Sequence, residues 1–135
     1  MHIINNYWWL SVKNVKDLSY LFYDCISLTT INFRDIDTNP SKFNIDTNYM
    51  FHNWKQLETI DLRILKNKNI IKMEKMFYNC DKLKSLDLSS VDTSQVENMK
   101  NLFANCKALT SLKIDTNFNT KNVKNFGYMF YNCEN

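Results

Sequence analysis

Apolar side chains recur along this chain at a fixed long period. Phe22, Phe51, Phe77, Phe103 and Phe130 are separated by 29, 26, 26 and 27 residues. Each follows a Leu or Met, and three residues later stands Cys25, Trp54, Cys80, Cys106 or Cys133. Leu28, Leu57, Leu83 and Leu109 come three further on, then Ile31, Ile60, Leu86 and Leu112, then Phe33, Leu62, Leu88 and Ile114. Upstream, Val15, Ile70, Val96 and Val123 lie seven residues before the Phe, and Leu18, Met73, Met99 and Phe126 lie four before it. Self-similarity of this kind marks a chain built from one small unit used several times.

The spacing changes within each unit. From Val96 through Met99, Leu102, Phe103 and Cys106 the apolar step is three or four, the spacing of one helix face. Ser94 and Glu97 stand at capping-box distance, which predicts a helix start near Gln95. An Asn or Asp precedes the Cys column in every unit (Asp24, Asn53, Asn79, Asn105, Asn132), and such residues suit a left-handed position that ends a helix. Leu86-Asp87-Leu88 alternates as a half-buried strand does. The pattern therefore predicts an α/β, leucine-rich-repeat-type solenoid with a short helix and a short strand per repeat. Its strands form one curved parallel sheet. A single repeat domain spans 1–135, with a degenerate first coil at 1–14. Repeat units follow at about 15–40, 41–66, 67–92, 93–119 and 120–135. The second unit carries three extra residues around Asn39-Pro40-Ser41-Lys42, which predicts a bulged loop, and it has Trp54 in the Cys column. The fifth unit stops before its strand, and no polar cap is recognisable, so a fragment of a longer protein is expected.

Composition sharpens this picture at one point. The chain has one Gly and one Pro, too few for ordinary tight turns, so Asn and Asp must do the turning. The net charge of +3 is small and its charges are interspersed, which argues against a nucleic-acid partner. No 18-residue apolar run exists, so no membrane insertion by this chain is expected. Residues 1–10 lack a basic leader and a small-residue cleavage site, so no signal peptide is read there.

The stretch from Val96 to Ile114 resembles the repeat of the BspA-like leucine-rich surface proteins. In particular it resembles the variant first catalogued as a domain of unknown function in mycoplasma surface lipoproteins. Leu86-Asp87-Leu88-Ser89 with Asp92-Thr93-Ser94 and Val96 fits that variant, as does Met73 through Cys80. The resemblance runs from about Val15 to Cys133. It implies a leucine-rich-repeat solenoid and display at the cell surface or outside the cell. The implied partner is a host, matrix or neighbouring-cell protein. It brings no catalytic residues. Without an export signal or anchor in this chain, a cytoplasmic location stays open.

Candidate chemistry is sparse. The four Cys share one column and form no C-x-x-C pair, and His2 and His52 lie at unrelated positions, so no metal site is expected. Buried free thiols acting as small apolar side chains are the preferred reading, with disulfides as the alternative. His52 falls in a column expected to point outward, away from any nucleophile. Gly127 is alone, so no phosphate-cradling loop exists. No catalytic residue and no cofactor are assigned, and the chain is read as a non-enzyme.

Outward strand positions are the best site candidates. One column is Thr30, Thr59, Ser85 and Ser111. The next is Asn32, Asp61, Asp87 and Lys113, and a third is Arg34, Arg63, Ser89 and Asp115. On a parallel sheet they would merge into a polar face able to bind a protein. The leading expectation is a surface-displayed recognition or adhesion module. The alternatives are an intracellular protein–protein interaction scaffold and a structural spacer. Tyr-rich positions near the Phe column form a second, weaker candidate surface.

Overall fold

The structure is a computed structural model that describes residues 15–31 and 43–134. It corrects the expected architecture. Among the described residues there is no α-helix, and the strands do not join into one curved sheet. Turns and irregular backbone dominate. The strands are β1 (Asn44–Asp46), β2 (Asn69–Lys72), β3 (Ser85–Asp87) and β4 (Ser111–Lys113). They form two separate two-stranded parallel sheets, β1 with β2 and β3 with β4. The expected leucine-rich-repeat solenoid, with a helix and a strand in every repeat, is therefore not the fold. The expected loop around Asn39-Pro40-Ser41-Lys42 and the proposed first coil at 1–14 lie outside the described residues.

The physical reason the helix fails is written in the backbone angles. Two residues per unit, two before and two after the Phe, hold positive φ near 60°. They are Tyr20 and Asp24, Tyr49 and Asn53, Lys75 and Asn79, Asn101 and Asn105, and Tyr128 and Asn132. A left-handed residue every fourth position cannot continue a right-handed helix, and each such L-residue costs roughly 1–2 kcal/mol unless locally compensated. The apolar step of three and four is instead met by consecutive turns. Tyr23 N–H donates to Tyr20 O, and Cys25 N–H donates to Phe22 O. The Ser94–Glu97 pair accordingly starts no helix. Ser94 N–H donates to Asp92 Oδ1 in a side-chain-closed turn at 2.8 Å.

The remaining N–H groups bond across units. In the turn segments around Phe22, Phe51, Phe77 and Phe103, the N–H groups at the Phe, and at four and two residues before and two after it, donate to carbonyls of the following segment. Met73, Lys75, Phe77 and Asn79 donate to Asn98, Lys100, Leu102 and Ala104 at 3.0–3.1 Å. Four such rungs join each neighbouring pair, from Leu18–Asp24 through to the segment at 125–131. Bridges Asp17–Asp46, Lys72–Asn98 and Asn98–Asn125 extend the same parallel register. In the four rungs each N–H points to the following segment, while at the Lys72–Asn98 and Asn98–Asn125 bridges Glu97 and Lys124 N–H donate back to Ile71 O and Glu97 O.

Side chains follow this register. The rings of Phe22, Phe51, Phe77, Phe103 and Phe130 stack in one row, with centroids 5.2–5.9 Å apart. Phe51, Phe77 and Phe103 are fully buried, together with Met50, Met76 and Leu102 beside them. Leu86 is buried, Leu112 is only half-buried, and Phe130 is 50% exposed at the last segment. Every cysteine thiol is free. Cys80, Cys106 and Cys133 Sγ donate to the Phe carbonyl of the preceding segment at 3.1–3.3 Å. Burial pushes the Cys80 thiol up to about 12 and the Cys106 thiol higher still, so neither is a nucleophile at neutral pH. Trp54, in the same column, donates its indole N–H to Leu28 O.

His52 departs from its expected surface position. Its ring lies between Tyr23 and Tyr78, at 4.7 and 5.0 Å. Its Nδ1 is buried with no hydrogen-bond partner among the described residues, and burial lowers its pKa below 6.5. The neutral ring is thus favoured in the folded state. Stability is complete above the unfolded pKa and falls as the pH drops below about 6.5.

Two outcomes are expected. Phe77→Ala empties the middle of the ring row and should cost about 3–5 kcal/mol in denaturant melts. Melts between pH 5 and 7 should show stability rising with pH, and His52→Tyr, which matches the ring found at this position in neighbouring units, should flatten that slope.

Candidate binding groove

The sequence of the second unit diverges where its neighbours form strands. Asp61 corresponds to Asp87 of β3 and Lys113 of β4, but no strand forms at 59–61, and a 3-10 turn follows at Leu62–Leu65. Leu62, Ile64 and Leu65 are all buried, so the turn is pinned to the core by its own side chains. Asp61 caps it by accepting from Arg63 N–H at 2.9 Å. Lys66 and Lys68 N–H groups close the exit by donating to Arg63 O and Leu65 O. In the next unit the equivalent stretch turns at Leu88–Val91, closed by Val91 N–H to Leu88 O at 2.9 Å.

Between these turns lies a groove of about 820 Å³. Its walls are Ile60–Arg63 and Lys66–Asn69 on one side, and Asp87, Ser89, Ser90 and Asp92 on the other, with Asn117 from the following unit. The volume falls within the range of ligand clefts, yet the lining is mostly polar, unlike the apolar pockets that hold drug-sized molecules. Both signs of charge are present, with Asp61, Asp87 and Asp92 among the lining residues beside Arg63, Lys66 and Lys68.

The carboxylates are held in place. Asp61 Oδ2 accepts from Arg63 Nε at 2.7 Å, and the guanidinium holds its carboxyl below the usual range. Asp87 accepts from Ser89 Oγ at 2.5 Å and Ser89 N–H at 2.9 Å on one oxygen, and from Lys113 Nζ at 2.9 Å on the other. These bonds, Ser89's first, pull its pKa down to about 2. Asn117 ties the wall together by donating Nδ2 to Ser89 O at 2.9 Å. Groups ionised this firmly at neutral pH act as fixed acceptors and are ill suited to proton transfer. Among the described residues, no cluster of three or more His, Cys, Asp or Glu could hold a metal ion.

Of the twelve positions singled out from the sequence, the groove brings together Asp61, Arg63, Asp87 and Ser89. Lys113 reaches it only through its bond to Asp87. Thr30, Thr59, Ser85, Ser111 and Asp115 are exposed but do not line it, and Asp115 turns the chain by accepting from Asn117 N–H. Asn32 and Arg34 lie outside the described residues. The columns missed Lys66, Lys68, Ser90, Asp92 and Asn117. The run Lys66-Asn67-Lys68-Asn69 in place of Asp92-Thr93-Ser94-Gln95 was the available signal, since it breaks the unit's pattern.

The Asp87 network makes one measurable claim. The Asp87 carboxyl is depressed in the folded state, so its stabilising contribution holds above the normal Asp range and is lost as pH falls toward about 2. Carboxyl-carbon NMR titration should place its midpoint near 2, and Lys113→Met should move that midpoint upward. An unchanged midpoint would show that Lys113 does not hold this carboxylate.

Comparison with known proteins adds a family. No curated protein and no solved structure matches the chain. Residues 45–135, which carry the groove and four of the five stacked Phe rings, match one family model. The chain belongs to the family described as Mycoplasma protein of unknown function, DUF285.

Proposed function

We propose that this chain is a non-catalytic protein-binding module, displayed at the cell surface, that takes its partner in the Asp61–Asp87 groove. One observation carries the reading: a cleft of ligand-binding size is lined by charged groups already fixed by neighbours, so they are preorganised to meet complementary side chains. Carboxylates committed to Arg63, Ser89 and Lys113 favour recognition over acid–base chemistry. Interfaces of mixed charge select partners through complementarity and enforce orientation.

The surface assignment draws on the repeat's resemblance to BspA-like surface proteins. Among the described residues, no helix is long and apolar enough to cross a membrane. On this reading the partner is a host, matrix or neighbouring-cell protein. Two alternatives, an intracellular interaction scaffold and a spacer without a ligand, separate cleanly by experiment.

The purified chain should be retained on intact cells or on immobilised extracellular proteins. The double variant Asp61→Lys, Asp87→Lys should reduce that retention at least tenfold at physiological salt, with the fold intact by circular dichroism. Retention by cytosolic proteins alone would support the scaffold. Undiminished retention by the double variant, or none by the parent chain, would sink the groove as the binding site.

A further inference from the structure

Between the third and fourth units the parallel ladder is closed. Lys84 O accepts from Thr110 and Ser111 N–H at 3.0 and 3.3 Å, and Leu88 N–H donates to Lys113 O at 2.8 Å. With Ser85 opposite Ser111 and Asp87 opposite Lys113, this commits the backbone groups of Leu86 and Leu88 to β4. Backbone groups of successive strand residues point to opposite edges, so those of Asp87 point toward the second unit.

The ladder between the second and third units starts in the same way and then stops. Lys84 N–H donates to Glu58 O at 3.1 Å, as Thr110 N–H does to Lys84 O one unit later. The rungs that would follow are Asp87 N–H to Ile60 O and Leu62 N–H to Asp87 O. The second of these is the counterpart of Leu88 N–H to Lys113 O, and neither forms. Leu62 instead opens the 3-10 turn, and Ile60 lies in no strand. Ile60 O, Leu62 N–H, Asp87 N–H and Asp87 O are left without a hydrogen-bond partner among the described residues. Leu62 is only 2% exposed, where an unpaired N–H is costly.

All three residues line the groove, which opens at this fork. The fork is internal to the series, with described turn segments before and after it. A split ladder that offers two donors and two acceptors is a template for a further strand.

On the reading that the groove is the binding site, we propose that its partner is an extended peptide segment whose backbone enters the fork and takes up all four groups. One peptide residue gives its N–H to Ile60 O and its carbonyl to Leu62 N–H. The carbonyl before it accepts from Asp87 N–H, and the N–H after it donates to Asp87 O. Proline is excluded at that residue and at the next, because both N–H groups are used. In strand addition of this kind main-chain bonds supply affinity, and Asp61, Arg63 and Lys66 on the groove wall select among side chains.

A phage-displayed library of random short peptides tests it. The library is depleted on the Asp61→Lys, Asp87→Lys double variant and then selected on the parent chain, so that survivors are held by the groove. Replacing their amides by esters one at a time removes single N–H donors. Two adjacent replacements should each weaken binding about tenfold, and the others should leave it within about twofold. Amide exchange at Leu62 and Asp87 should slow when the peptide binds. Groove-held peptides that tolerate every ester, or that leave exchange at both amides unchanged, would overturn backbone pairing while leaving the groove as the binding site. A selection that yields no groove-held peptide would overturn it as well. Retention of the parent chain on intact cells, and its loss in the double variant, then decides the groove separately.

Discussion

The backbone rungs between neighbouring turn segments are the constraint on which everything else in this protein rests. Alternate N–H groups in each segment are spent locally on i to i+3 turns, and the others on the next segment. A buried N–H without a partner is costly, so the segments must lie in one register or lose several bonds at once. That register is what places Phe over Phe, and what aims the Cys80, Cys106 and Cys133 thiols at the preceding Phe carbonyl. The apolar core is a consequence of the ladder as much as its cause.

The ladder depends in turn on residues that accept left-handed backbone. Asn and Asp do so more readily than other chiral residues, and they fill the second position after each stacked Phe. Their side chains add a second ladder, in which Asn105 donates to Asn79 at 2.6 Å and Asn132 donates to Asn105 at 2.9 Å. The other left-handed column is filled by Tyr, Lys and Asn, and at its first two positions ring stacking compensates for poorer backbone preference. This explains how a chain with a single glycine can turn so often. It also explains why Asp and Asn carboxyl and amide oxygens so often accept from the N–H two residues on, at Asp17, Asp46, Asp87, Asp92, Asn98, Asp115 and Asn119.

The candidate groove lies where the repetition breaks. The second unit forms no strand at 59–61, where its neighbours have β3 and β4, and its Lys-Asn run departs from the pattern of its neighbours. The groove opens at that break, so its lining mixes repeated columns with residues that have no counterpart elsewhere. Asp87 belongs to both: it is a β3 strand residue, an anchor for Lys113 in β4 and part of the groove wall.

Period, column membership and the need for Asn and Asp at turns were legible from the residues alone, because each depends only on spacing and residue type. The stacked Phe row follows directly from that periodicity. The choice between helix and turn was not legible, because an apolar step of three and four satisfies both. What decided it is the pairing of segments: turns free half their N–H groups for neighbours, whereas a helix would consume them internally. The same holds for the site. Asp61, Arg63, Asp87 and Ser89 could be named from their columns, but only three-dimensional packing could bring Lys66, Lys68 and Asn117 to the same groove. Sequence periodicity reports which residues are equivalent, and tertiary contacts decide what those equivalents hydrogen-bond to.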